Sequence, residues 1–331
     1  MRILSNVTLL TLGEIPRIGR RTVNYINDNC SILPVEPFDF FEIIQEAKKS
    51  NTRIKVPKIE EIREAMYRAE DICNKCAEEK IQIVGINDSS FPAALRSIPD
   101  RPVLLYAKGN LNILDQTPTV AIIGTREPTS FGYAFGKRLA QVLSEKDFMI
   151  ASGLALGCDT AAHEGCLDGK GKTIAVLAHG LDNIYPKENK YLADRILYSS
   201  GCLISEYAPG VRARSNYFVD RDRLQSGLSN AVIVIETAKE GGTMHTVEFC
   251  IKQGRILACL SHPHQHLNNN LKAEGNQFLL KEKNAVAIYD KESISAFVEK
   301  VVNHRKSFNF ESNTGGSDSQ PSNEQLSFPG L

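Results

Sequence analysis

The feature that most constrains the fold is a series of short, uniformly apolar runs that alternate with stretches of helical character. The runs occupy residues 119–123, 148–151, 173–178, 202–205, 231–235 and 256–260, with 285–288 as a further candidate. The helical stretches between them occupy residues 133–145, 160–167, 189–199, 223–228 and 243–253. Strands without in-and-out alternation are covered on both faces, and strands that alternate with helices form parallel sheets. The pattern predicts an α/β fold, an extended Rossmann-like, doubly wound and mostly parallel sheet.

The first 80 residues have a different pattern and are predicted to form a helical region. Apolar residues recur every three or four positions through residues 59–79, which is typical of an amphipathic helix. Upstream, Pro16 and Gly19 mark a tight turn between two further helices, and this arrangement resembles a helix-hairpin-helix. Two interpretations stay open: a plain helix hairpin, or a phosphate-binding turn that gains charge from Arg17, Arg20 and Arg21.

Composition narrows the class of protein. The chain has 331 residues, more than twice the roughly 150 of a typical domain, so two domains or one extended domain are expected. With 39 basic and 39 acidic residues, it is neither a generally basic nucleic-acid coat nor an acidic solvating chain. No apolar run approaches the roughly 20 residues that span a bilayer, so a cytoplasmic protein without membrane contact is expected.

The sequence predicts three parts: the helical region at 1–80, a Rossmann-like domain at 81–303 and a disordered polar tail at 304–331. The tail is rich in Ser, Asn, Gly and Gln and cannot bury enough apolar surface to offset the entropy lost on ordering. Its residues 325–329, QLSFP, resemble peptides that dock on replication sliding clamps, although they are one residue short. The end of the tail is therefore either a weak sliding-clamp contact or a frayed terminus.

No metal or cofactor is predicted. The eight cysteines lie mostly in apolar stretches and are expected to be reduced and buried. Cys73 and Cys76 have ligand-like spacing, but no second pair of this kind exists to complete a zinc site. His262, His264 and His266 alternate just beyond a strand end and match no zinc pattern.

Residues that follow the apolar runs are expected to form the ligand site, because doubly wound sheets bind ligands beyond the carboxyl ends of their strands. Three such turns combine glycine with a hydroxyl or guanidinium group: Gly124, Thr125 and Arg126; Ser152 and Gly153; and Gly241, Gly242 and Thr243. Glycine lets backbone amides approach a phosphate, and arginine binds its oxygens through a forked charge. None of the turns is GxGxxG or GxxxxGK[ST], so a phosphate-bearing ligand other than a dinucleotide or triphosphate is favoured.

The segment before the fifth run combines arginine with aromatic residues and is expected to be mostly loop. It contains Arg212, Arg214, Tyr217, Phe218, Arg221 and Arg223, opposed by Asp220 and Asp222. Guanidinium groups hold phosphates while rings stack bases, which suits single-stranded nucleic acid. A solvated run of charge is the alternative. His163 has no nucleophile at a motif-defining spacing, so no catalytic residue is predicted.

Five strings resemble, in the same order, the motifs of the DprA/Smf family of DNA-processing proteins. They are VAIIGTREPTSFG (120–132), SGLALGCDTAAHEGCL (152–167), TIAVLAHGLDNIYPKEN (173–189), LISEYAPG (203–210) and RDRLQSGLSNAVIVIE (221–236). The resemblance implies a homodimer that binds single-stranded DNA in a basic pocket, protects it and loads a RecA-type recombinase in transformation or recombination. It also implies that the protein has no catalytic turnover of its own.

The turns, the arginine segment and the resemblance together give a set of expected DNA- or phosphate-binding residues. The set is Gly124, Thr125, Arg126, Ser152, Gly153, Arg212, Arg214, Phe218, Arg221, Arg223, Gly241, Gly242 and Thr243. The family loop usually reads F-P-x-R-N-R, whereas here Val219 replaces the proline and Asp222 the asparagine. A carboxylate between two arginines lowers the local positive potential, so weaker DNA binding than in the family pattern is expected.

Two other functions stay open. Gly241, Gly242 and Thr243, followed by Glu248, are similar to part of the GGxGT…E pattern of LOG-type nucleotide phosphoribohydrolases, in which a carboxylate assists N-glycosidic cleavage. The alternative function is therefore nucleotide binding, or such an enzyme or sensor on the same fold, although one glycine of the pattern is absent. A third possibility is an interaction scaffold in a defence or mobile-element system.

Overall fold

The computed structural model describes residues 3–30, 32–267 and 271–314. The N-terminal part of the chain is helical, as predicted. Its helices are α1 (Asn6–Glu14), α2 (Arg20–Asn29), α3 (Pro37–Ser50) and α4 (Ile59–Glu78). The Ser5 side chain accepts a hydrogen bond from the Thr8 amide and so caps the start of α1. The predicted amphipathic helix at 59–79 is confirmed as α4, which ends one residue earlier.

The strands within the described residues form one sheet. They are β1 (Gln82–Gly85), β2 (Leu104–Gly109), β3 (Thr119–Ile123), β4 (Met149–Ser152), β5 (Thr173–Leu177), β6 (Cys202–Ser205), β7 (Ala231–Val234), β8 (Ile256–Leu260) and β9 (Val286–Ile288). Their order is β1-β2-β6-β5-β4-β3-β7-β8-β9, with β3 to β9 parallel and β2 antiparallel to both β1 and β6. The predicted doubly wound, mostly parallel sheet is confirmed, and β1 and β2 extend it outside the βα repeat.

Helices cover both faces of the sheet. They are α5 (Ala93–Arg96), α6 (Ser130–Ser144), α7 (Cys158–Asp168), α8 (Lys190–Tyr198), α9 (Ser215–Leu228), α10 (Thr243–Lys252), α11 (Leu271–Glu282) and α12 (Lys291–Thr314). Alternate residues of β3 show the two faces. Val120 packs in a cluster with Leu139 of α6, whereas Ala121 packs in another with Val247 of α10.

Two expectations about secondary structure are wrong. The arginine segment, expected to be mostly loop, is helical from Ser215 onward as part of α9, and residues 221–228 are all buried. A polar sequence does not indicate a buried helix, but these polar side chains are buried because they form hydrogen bonds and ion pairs inside the protein. The predicted polar tail begins too early, since α12 continues to Thr314. The sliding-clamp-like residues 325–329 lie outside the described residues.

The helical region and the antiparallel end of the sheet share one hydrophobic cluster. Leu9 of α1, Ile44 of α3 and Ile62 of α4 pack in the same cluster as Leu105 of β2 and Ile204 of β6. Burial of these side chains fixes the helical region against the sheet. Within the described ranges, no helix is long and apolar enough to cross a membrane.

Candidate functional site

A cavity of about 640 Å³ lies beyond the carboxyl ends of β3 and β7, the neighbouring strands at which the strand order reverses. Doubly wound sheets bind ligands at such switch points. The predicted site residues that line the cavity are Gly124, Thr125, Arg126, Phe218, Arg221, Gly241, Gly242 and Thr243. Two of the three predicted turns therefore converge on one cavity.

An arginine and two aromatic rings form one wall of this cavity. The guanidinium carbon of the exposed Arg126 lies 5.1 Å from the centre of the Phe218 ring. The Tyr185 ring lies 6.2 Å from the same ring, centre to centre. Rings beside guanidinium groups offer a stacking surface next to positive charge. The wall can therefore hold a planar ring and an anionic group at the same time.

A second cavity, of about 750 Å³, adjoins the first and shares Tyr185, Ser215 and Phe218 with it. Arg212 and Arg214 line this second cavity and are exposed. In the part of the chain that the structure describes, no carboxylate lies within ion-pair distance of either arginine. Their charge is therefore available to an anion from solvent. We call the two joined cavities the switch-point groove.

Arg221 is a positive charge fixed in the floor of the groove. Its side chain is 6% exposed, and Nη1 donates a hydrogen bond to the Val176 carbonyl oxygen at 2.8 Å. Its Nε lies 3.2 Å from Asp222 Oδ1. A Cβ atom on Gly153 would lie 1.6 Å from Arg221 Nη1, so glycine is required for the arginine to occupy this position.

Asp222 offsets the charge of Arg221. Burial raises the pKa of Asp222 to about 6, the Arg221 guanidinium opposes this rise, and the nearby Asp159 adds to it. With its amide oriented to satisfy both partners, Gln225 donates to Asp222 Oδ1 at 3.2 Å and accepts from the Gly153 amide at 2.8 Å. When ionised, Asp222 offsets the charge of Arg221 in the floor of the groove.

Replacing Asp222 by asparagine is expected to change stability in a pH-dependent way, with the variant gaining on the parent as pH rises. The pKa of Asp222 is about 6 in the folded protein and 3.8 ordinarily, so the carboxyl group ionises more readily in the unfolded chain. The stability of the parent protein therefore falls as pH rises between those two values. Relative to the parent, the variant's free energy of unfolding is expected to rise by roughly 2 kcal/mol between pH 4 and pH 7.5. Urea unfolding across this range measures the difference. If the difference in unfolding free energy between variant and parent does not change with pH, the pKa of Asp222 is not raised in the folded protein.

The turn after β4 is closed by its own side chains. Asp159 Oδ2 accepts hydrogen bonds from the amides of Gly153 and Ala155, at 3.1 and 3.3 Å. The buried Ser152 hydroxyl donates to the Ile122 carbonyl oxygen at 2.6 Å. Ser152 and Gly153 therefore lie behind the groove and do not line it, contrary to expectation. The physical reason is that Asp159 already satisfies the amides that a phosphate would need.

Arg223 also lies away from the groove. Its side chain is 1% exposed, with Nη2 at 2.6 Å from Glu206 Oε2, and Nη1 donates to the Asp220 carbonyl oxygen at 2.7 Å. Two positions along a helix correspond to a rotation of about 200°, so Arg221 and Arg223 point to opposite sides of α9. The expectation that both arginines flank the pocket is therefore wrong for Arg223.

The start of α10 supplies a further anion-binding feature. Gly241, Gly242 and Thr243 line the groove where this helix begins. No side chain caps the first turn of the helix. The positive end of the helix dipole and the amides of the first turn favour an anion at this position.

Glu236 holds the turn that carries Arg126. Its carboxylate is buried and accepts hydrogen bonds from the amide and the hydroxyl of Thr129, both at 2.7 Å. His262 Nε2 lies 3.1 Å from Glu236 Oε1. Burial alone would raise the pKa of Glu236, but the hydrogen bonds from His262 and Thr129 bring it below its ordinary value. Glu236, the last residue of the string 221–236, is therefore a positioning residue that was not in the predicted set of site residues.

The histidines that drew attention in the sequence have structural surroundings. His163 is fully buried, its Nδ1 lies 2.7 Å from Thr173 Oγ1, and burial lowers its pKa to about 3. The His266 ring stacks on Phe131 with centres 4.1 Å apart, while His262 contacts Glu236. Among the described residues, no three potential metal ligands come together.

Comparison with known proteins places this geometry in a family. The family model described as DNA recombination-mediator protein A matches residues 82–299. The chain belongs to this family. The resemblance to DprA/Smf proteins is confirmed, because the DNA processing protein DprA of Bacillus subtilis is 36% identical over 178 residues. That match covers 54% of this chain and 60% of the relative, so the chain spans about three fifths of the curated relative's length.

Two solved structures of the family have a similar fold. DprA from Streptococcus pneumoniae has a TM-score of 0.73 and 29% identity, covering 89% of this chain and 98% of that one. DprA from Helicobacter pylori has a TM-score of 0.58 and 30% identity, covering 67% of this chain and 96% of that one. The Helicobacter pylori work describes a unique single-stranded DNA binding mode for that protein.

Proposed function

We propose that the switch-point groove binds single-stranded DNA. The observation that carries the proposal is the wall in which the Arg126 guanidinium lies 5.1 Å from the Phe218 ring, with Tyr185 beside it. The bases of a single strand are free to stack on such rings, whereas those of a duplex are stacked inside the helix. Arg212 and Arg214 supply charge for the phosphates of the neighbouring nucleotides.

Membership of the family supports a wider role. We propose that the protein protects single-stranded DNA and loads a RecA-type recombinase onto it in transformation or recombination, acting in the cytoplasm as a homodimer. The description of the matched family as a recombination mediator supports this role. Recombinase filament assembly on DNA coated with single-strand-binding protein tests it. The protein is expected to speed assembly, and an unchanged rate would contradict the loading role.

We further propose that the protein acts by binding alone, without catalysis. Among the described residues, three carboxylates line the groove: Asp159 and Asp222 are buried beside Arg221, and the exposed Asp182 accepts a hydrogen bond from the Gly210 amide at 2.9 Å. A carboxylate that assists N-glycosidic cleavage must reach the substrate, whereas Glu248, the candidate for that role, is exposed outside the groove. Release of free base from a nucleoside monophosphate would contradict this proposal.

Fluorescence anisotropy with a labelled oligo-dT of about 20 nucleotides and its duplex counterpart tests DNA binding. We expect preferential binding of the single strand, with affinity that falls steeply as salt rises, since each phosphate contact releases counterions. Equal binding of both DNAs would argue against stacking in the groove. Absence of binding to either would make nucleotides the next ligands to test.

A further inference from the structure

A dense group of positive charges lies in the helical region, away from the switch-point groove. Residues 48–58 contain five basic residues and no acidic residue, in a chain whose formal net charge is +0. The five are Lys48, Lys49, Arg53, Lys55 and Lys58, and all are exposed. They run from the last turn of α3 through the connection to α4. We call this the basic connection.

The backbone of the basic connection is held in place by buried side chains. Ile54 is 6% exposed and belongs to the main hydrophobic cluster, and Pro57 is also buried. The Ile54 amide donates to the Asn51 carbonyl oxygen at 3.0 Å, and the Arg53 amide donates to Asn51 Oδ1 at 3.2 Å. The cations on either side of Ile54 are therefore fixed at the surface by their backbone. Their long side chains remain free to follow an anionic partner.

Little of this charge is neutralised within the protein. Lys49 is paired with Glu46 at 2.5 Å. In the ranges that the structure describes, no carboxylate lies within ion-pair distance of Lys48, Arg53, Lys55 or Lys58. The nearest acidic residues along the following helix are Glu60 and Glu61, and Glu61 is paired with Arg17 at 2.6 Å.

The helical region adjoins the part of the chain that carries the groove. Arg20 of α2 lies 3.6 Å from Glu206, and Tyr207 stacks on Tyr217 of α9 with ring centres 4.2 Å apart. Tyr217 is followed directly by Phe218 of the groove wall. The helical region therefore contacts the segment after β6 and the start of α9, next to the groove wall.

We propose that the basic connection binds the phosphate backbone of single-stranded DNA that extends beyond the switch-point groove. This inference rests on the proposed function of the groove. Exposed cations on flexible side chains hold phosphates without reading bases, so the contact adds affinity for longer strands but no sequence preference. The groove anchors one end of the strand, and the basic connection raises the affinity for the rest.

The test compares DNA lengths and two matched triple variants. The first variant carries Lys48→Gln, Arg53→Gln and Lys55→Gln. The control carries Lys146→Gln, Lys170→Gln and Lys172→Gln, three exposed lysines that precede β4 and β5 and so lie at the edge of the sheet opposite the groove. Each protein is titrated by anisotropy with oligo-dT of about 12 and about 50 nucleotides at several salt concentrations. Thermal melting checks that all three proteins are folded.

The first variant is expected to bind the long strand about tenfold more weakly than the parent, with a salt slope shallower by about 2, because three single-strand phosphate contacts are lost. Its affinity for the short strand is expected to stay the same, and the control variant is expected to match the parent on both. Unchanged long-strand binding would overturn the inference and leave the groove intact as a site. Failure of the parent to bind either strand would overturn the proposed function and this inference together.

Discussion

Replacing Arg126 by alanine is expected to weaken oligo-dT binding by about 10- to 100-fold and to leave the melting temperature nearly unchanged. The guanidinium is exposed, and its contact is with the face of Phe218, so its loss leaves no buried group without a partner. A hydrogen bond to a charged group contributes about 1.5–3 kcal/mol, which corresponds to this range of affinity. Anisotropy and thermal melting on the same preparation measure both quantities.

A matched variant separates the role of Arg126 from a general loss of charge. Arg138 on α6 is also exposed but does not line the groove, and Arg138→Ala is expected to bind DNA as the parent does. Arg126→Lys keeps the charge but lacks the planar fork that stacks on a ring, so an intermediate affinity is expected. If Arg126→Ala and Arg138→Ala bind equally well, Arg126 does not contact the strand.

Replacing Arg223 by alanine is expected to act on stability, with a loss of about 3–5 kcal/mol in the free energy of unfolding. The substitution removes the partner of Glu206 at 2.6 Å, leaving only Arg20 at 3.6 Å, and creates a cavity where a fully buried side chain had packed. Breaking a buried ion pair from one side and leaving a core cavity together cost about this amount, because the remaining charge keeps only its more distant partner. Urea unfolding with a two-state fit measures the loss.

A double variant checks the physical reason for the loss. Arg223→Leu combined with Glu206→Leu removes both charges, so it is expected to be more stable than Arg223→Ala alone. Binding of oligo-dT by folded Arg223→Ala protein is expected to stay close to that of the parent. A large loss of DNA affinity without loss of stability would instead place Arg223 in the groove.

Most of the sheet could be predicted because burial on both faces leaves a direct mark in the sequence. The runs at 119–123, 202–205 and 256–260 coincide with β3, β6 and β8. The same rule fails for α9, whose buried stretch 221–228 is polar at most positions. Its two arginines are buried with partners from distant parts of the chain, Val176 for Arg221 and Glu206 for Arg223, and such partners leave no periodic pattern nearby.

The candidate site was predictable where glycine and arginine directly follow a strand, as at Gly124 and Arg126. It was not predictable where another protein group, and not a ligand, occupies the hydrogen-bonding groups of a predicted site residue. Asp159 accepts hydrogen bonds from the amides of Gly153 and Ala155, and Glu206 pairs with Arg223 on the far side of α9. Tyr185 lies within a string that carried the family resemblance, yet only the fold brings its ring beside Phe218.

The most direct test of the switch-point groove as the DNA site is photocrosslinking of oligo-dT that contains 4-thiothymidine, with mass spectrometry of the crosslinked peptides. Because the bases are expected to stack on the rings that form the wall, we expect crosslinks at Phe218 and Tyr185. Competition with unlabelled oligo-dT should abolish both crosslinks. Tight binding with crosslinks that avoid both residues would contradict the account.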